Sequence, residues 1–144
     1  MATAGRRPDE IYTMAKTMLA LPDTSMKDYI EAEQAAERLR DGYADYFTRF
    51  DVLLTHVLPI PAHKHGVGEF VIDGQKVDAT YLQGATVPLN LTGLPGISMR
   101  FDTSREGMPI NVQLVGAWLA ESTILHVASL LESVSAVRDL RPSL

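Results

Sequence analysis

The sequence predicts an α/β fold, a partial mixed sheet with flanking amphipathic helices, and three observations carry that expectation. A long helical stripe runs through residues 29–50, two stretches of apolar and polar alternation cover 97–101 and 110–114, and a last amphipathic stretch covers 124–134. A single domain over 1–144 is expected, helical over 1–50 and strand-helix-strand-strand-helix over 51–144.

Ile11, Met14, Ala15, Met18 and Leu19 recur at helical spacing between Pro8, which suits a first turn, and Pro22, which stops the pattern. Ser25 and Asp28 form a variant capping box for a longer helix with the stripe Tyr29, Ala32, Ala36, Leu39, Tyr43, Phe47 and Phe50. The stripe reads as core, while Lys27, Glu31, Gln34, Arg38, Asp41 and Asp45 on the other face mix charges of both signs, which suits water. Val52, Leu53 and Leu54 make a continuous apolar run, as expected of a strand buried on both faces, and Pro59 and Pro61 end it.

Val71, Ile72, Asp73, Gly74 and Val77 predict a small hairpin on a two-residue turn. Tyr81 to Leu91 leaves the element type open, because Pro88 interrupts a helical pattern that Gly93 and Pro95 end. Ile97, Met99 and Phe101 alternate with Ser98 and Arg100, and Ile110, Val112 and Leu114 alternate with Asn111 and Gln113. Two adjacent antiparallel strands are expected across the Gly107 and Pro109 loop. Ile124, Val127, Ala128, Leu131 and Val134 predict the final helix, with Glu121 in its first turn.

The composition, 46% hydrophobic and 22% charged, is that of a soluble globular protein. A net charge of −5 opposes phosphate backbones and anionic lipid, so neither nucleic acid nor membrane is expected as a partner. The absence of cysteine excludes disulfides, thiol nucleophiles and thiolate metal sites and fits a cytoplasmic location. Arg6 and Arg7 are followed by Asp9 and Glu10 rather than an apolar run, so no secretory signal is expected, and no stretch approaches the ~20 apolar residues of a membrane span.

Serine hydrolysis needs a nucleophile beside a base, together with donors for the oxyanion. Ser98, Ser104, Ser122 and Ser129 stand in strand, loop or helix patterns without a nucleophile elbow. His63 and His65, with His56 nearby, are the best metal candidates, but no further ligand completes a site and the prolines argue for a loop. Gly93–Gly96 lacks the Lys-Ser/Thr ending of a phosphate loop, and Asp73, Asp78 and Asp102 occupy turn positions. No catalytic residue, metal or cofactor is nominated from these patterns.

From Phe47 onward the segments resemble the end of an amidase signature family enzyme. The run Phe50-Asp51-Val52-Leu53-Leu54-Thr55 with Pro59, Pro61 and Ala62 is similar to that family's aspartate, strand, threonine, proline pattern. Thr86–Ser98 resembles its helix-to-strand segment, Gly107–Gly116 the strand that follows, and Glu121–Leu125 the opening of its last helix. His56 and Arg100 depart from the family, which often has proline at both places. The resemblance implies the C-terminal part of the amidase signature fold and an amide-hydrolysing activity. It also implies a serine, a second serine on a cis peptide and a lysine, all from a region preceding the matched part; this chain has no counterpart of them. Gln83 stands about where the amidotransferase branch carries an aspartate for the substrate's amino group, and it is the substrate-binding candidate. The expectation is a portion that supports the fold and acyl pocket and is inactive alone, its partner being an amidase N-terminal catalytic portion or itself. The alternative is a non-enzymatic, self-associating binding or assembly module.

Overall fold

Proline and a capping serine set the first boundaries in the computed structural model, which describes residues 13–141. Helix α1 spans Thr13–Leu19 and stops short of Pro22; the expected contribution of Ile11 lies outside the described residues. Helix α2 spans Met26–Phe47. At its start the Asp28 N–H donates to Ser25 Oγ at 3.1 Å, and that hydroxyl donates to Asp28 Oδ2 at 2.6 Å, so the cap forms as the spacing predicts. Two compact units are distinguished, Met1–Gln34 and Ala35–Leu144, and the remaining elements belong to the second.

The α2 stripe corrects the expectation of a core, because the helix has no buried residue. Tyr29 and Ala32 are exposed, and Ala36, Leu39, Tyr43 and Phe47 are half-buried. The aromatic residues pack chiefly on one another, with ring centroids 5.2 Å apart for Tyr46 and Phe47 and 4.8 Å for Tyr46 and Phe50. The stripe is amphipathic, but none of its side chains is buried among the described residues.

Strands β1 (Val52–His56), β4 (Gly96–Thr103) and β5 (Pro109–Gly116) form one antiparallel sheet in the order β1-β5-β4. Leu54 and Ile97 both oppose Leu114, which fixes the register. The apolar run at 52–54 is therefore an edge strand, not one buried on both faces, and Leu54 is 56% exposed. Strands β2 (Glu69–Ile72) and β3 (Gln75–Asp78) make the expected hairpin. Asp73 and Gly74 both have positive φ, 50° and 74°, as a type I′ two-residue turn requires.

The open stretch at 81–91 resolves into a 3-10 turn, Tyr81–Gln83, and helix α3, Val87–Thr92. Pro88 sits in the first turn, where its missing N–H costs nothing, and Gly93 closes the helix in the left-handed region at φ 71°. Helix α4, Glu121–Val134, lays Ile124 and Ala128 on Leu114. Val52, Ile97, Met99, Val127 and Leu131 complete this core, whereas Val134 is 73% exposed and lies outside it, one turn beyond the last core residue. No helix among the described residues is long and apolar enough to cross a membrane.

Candidate functional site

Strand parity puts polar side chains together on the sheet face turned away from α4. Leu114, Ile97 and Met99 belong to the α4 side, so their strand neighbours point the other way. Across the strands Thr55 opposes Gln113, Gln113 opposes Ser98, and Arg100 opposes Asn111. Directly opposed residues share a face, and five polar side chains therefore stand in two adjacent rows.

Gln113 is 5% exposed and its amide N–H groups act as a crosslink. Its Nε2 donates to Thr55 Oγ1 at 3.2 Å and to the Ala85 carbonyl at 3.0 Å, joining β1, β5 and the segment before α3. In the next row Asn111 Nδ2 donates to Ser98 Oγ at 3.3 Å, and both residues are exposed. Arg100 is half-buried; its Nη2 donates to Thr103 Oγ1 at 2.8 Å, while its Nε is buried without an acceptor. Arg100 forms no ion pair among the described residues.

Two cavities flank this unit's secondary structure. One of about 520 Å³ opens where β1 ends, and His56, Leu58, Ile60, Pro61, Ile110 and Asn111 are among its lining. The other, also about 520 Å³, is bordered by Arg40, Tyr43, Phe47, Thr92, Leu94 and Trp118. There the Trp118 Nε1 donates to the Thr92 carbonyl at 3.1 Å, and Arg40 Nη2 to the Leu91 carbonyl at 2.9 Å. Tyr43 and Phe47 of the α2 stripe thus border a cleft instead of a core.

Gln83 is exposed and closes the 3-10 turn, its carbonyl accepting the Thr86 N–H at 3.0 Å and the Thr86 hydroxyl at 3.2 Å. Ser104 Oγ accepts the N–H groups of Glu106 and Met108 at 3.3 and 3.2 Å and so shapes the β4–β5 loop. It also donates to the Glu106 carboxylate at 2.8 Å; that bond first, and the residue's own backbone N–H second, hold the exposed Glu106 carboxyl below its ordinary pKa. Ser129 Oγ donates to the His126 carbonyl at 2.8 Å. His63 and His65 lie in an irregular loop, where the His63 ring meets Phe70 edge-on at 4.6 Å. Among the described residues no group of three or more His, Asp or Glu side chains is gathered as a metal site.

Sequence reasoning missed the Thr55-Gln113-Ser98 row and both cavities, and it marked Arg100 only as a departure from the family's proline. Part of the signal was present, since Ser98, Arg100, Asn111 and Gln113 are the polar members of the alternation that defined the two strands. Their assembly into rows required the register.

The family model described as Amidase matches residues 7–125. A glutamyl-tRNA(Gln) amidotransferase subunit of Prochlorococcus marinus is 35% identical over 116 residues, covering 81% of this chain and 23% of its own length. A fatty acid amide hydrolase of Medicago truncatula is 33% identical over 135 residues, with 88% of this chain and 21% of that protein covered. A crystal structure of an amidase superposes with a TM-score of 0.80 at 27% identity, over 90% of this chain and 30% of that one. The chain thus spans about a quarter of the length of the curated relatives it matches. With the family model matched over most of its length and the fold shared with a solved member, this chain belongs to the amidase family.

Proposed function

We propose that this chain acts as the C-terminal portion of an amide-hydrolysing enzyme in the cytoplasm, completing its fold and supporting its acyl pocket. The serine, second serine and lysine of the reaction are supplied by an N-terminal amidase portion. The observation that carries this reading is the coverage: most of this chain matches relatives of which it spans only about a quarter. The exposed apolar side chains Leu54, Leu125 and Leu130 favour further polypeptide against this segment. Gln83 is the candidate contact for the amino group of the substrate.

The test is a panel of aryl amides and esters. The chain alone is expected to show no turnover, and turnover is expected when the N-terminal portion of a relative is supplied. A Gln83→Ala variant of that reconstituted enzyme is expected to raise KM more than it lowers kcat. Turnover by the chain alone that disappears in Ser98→Ala would overturn the reading. Self-association is the second reading, favoured by the same exposed leucines, and a stable homo-oligomer that recruits no amidase portion would establish it.

A further inference from the structure

Arg100 and the cavity at the end of β1 flank one stretch of β5. Asn111, which lines the cavity, is the cross-strand partner of Arg100, and Pro109, also in the lining, is the partner of Thr103. Neighbouring strands stand about 5 Å apart, so the β4 backbone at Arg100 runs one strand width from Asn111 in the cavity's lining. Val57, Leu58, Pro59, Ile60 and Pro61 make one wall of that cavity apolar. The two positions where the sequence departs from the family's prolines, His56 and Arg100, both fall here: His56 lines the cavity and Arg100 lies across β5 from it.

We propose that this region binds a carboxylate carried on a short apolar chain, with the chain in the cavity and the carboxylate on Arg100. A half-buried guanidinium without an ion pair among the described residues gains from an anion, which its Nη groups can meet while the buried Nε stays turned into the protein. Thr103 Oγ1 holds Nη2 and so orients the fork on the sheet face. Because the Asn111 amide already donates to Ser98 Oγ, the serine hydroxyl proton is free to turn to a ligand oxygen. One cation on a chain of net charge −5 suits a single negative charge and disfavours polyanions. The inference rests on the acyl-pocket reading for its biological use, but binding by this chain needs no catalytic portion.

Titration of the isotope-labelled chain with hexanoate, followed by amide and Arg Nε–H shifts in NMR spectra, tests the site. Saturable shifts are expected at residues 57–62, at Asn111 and at Arg100, and hexanamide, which lacks the charge, is expected to bind roughly ten-fold more weakly. Acetate, which leaves the cavity unfilled, is expected to be weaker than hexanoate. Arg100→Met should abolish the difference between hexanoate and hexanamide. If that variant loses its dispersed spectrum, Arg100→Lys keeps the charge without the fork and should weaken hexanoate several-fold. Equal binding of hexanoate and hexanamide, equal binding of acetate and hexanoate, or an unchanged response in both Arg100 variants would overturn the proposal. Failure of amidase reconstitution with hexanoate binding intact would reject the enzyme reading and leave the site standing.

Discussion

Gly116 is where β5 passes under α4: a Cβ there would lie 2.8 Å from Ile124 Cγ2 and 3.3 Å from Ala120 Cβ. Ile124 is 3% exposed and has nowhere to move, so Gly116→Ala is expected to cost about 1–3 kcal/mol in urea unfolding. At Gly96 the added carbon would meet Leu89 Cδ1 at 2.9 Å, the end of a flexible side chain, and the same substitution should cost within about 1 kcal/mol. Leu114, 1% exposed, is the centre of the core, and Leu114→Ala should cost about 2–5 kcal/mol. Glu106 gives a pH-dependent check. Its carboxyl is held below the ordinary range by Ser104, so its stabilisation is complete above the unfolded pKa and is lost as pH falls through the lower folded value. An NMR titration should show Ser104→Ala moving that midpoint upward.

Among the elements, β1 and β4 are both sheet edges, and they are protected differently. β4 carries Arg100 and Asp102 and a register shift between them, devices that discourage a further strand. β1 reads Val-Leu-Leu-Thr-His, without a charged carboxylate or lysine, and Leu54 stands half open on the α4 side. Of the two edges, β1 is therefore the less protected against pairing with another strand. Leu54→Lys should change stability by no more than about 0.5 kcal/mol, because the side chain is already exposed, while lowering self-association measured by sedimentation. Thr55→Val removes an acceptor of the buried Gln113 amide and should cost about 1–3 kcal/mol in the same unfolding assay.

For the molecule as a whole, the small core of Leu114, Ile124 and Ala128 contrasts with the many large apolar side chains left open, among them Trp118 at 69% and Leu119 at 83% exposed. Apolar surface left open in this amount favours contact with other molecules. The chain alone is therefore expected to associate, and light scattering across a dilution series should show a mass above that of the monomer. A folded species of monomer mass that binds no hydrophobic dye would count against it. Addition of an amidase N-terminal portion should shift the population from self-association to a complex of the two.

Local chemistry determined much of what the sequence revealed by itself. The Ser25 cap, the Asp73-Gly74 turn, the Gly93 helix end and the alternation of β4 and β5 each depend on a few adjacent residues, and each is readable in the sequence. The amidase resemblance was equally readable, because its motifs are contiguous runs. Burial was not. Periodicity shows that Tyr29, Leu54 and Val134 are apolar in an ordered pattern, but not whether this chain supplies the surface that covers them. Nor does it show that Thr55 meets Gln113 across 58 positions, or that Arg100 lies one strand from an apolar cavity. Those facts come from strand order and register, which bring distant residues together and which only the tertiary structure decided.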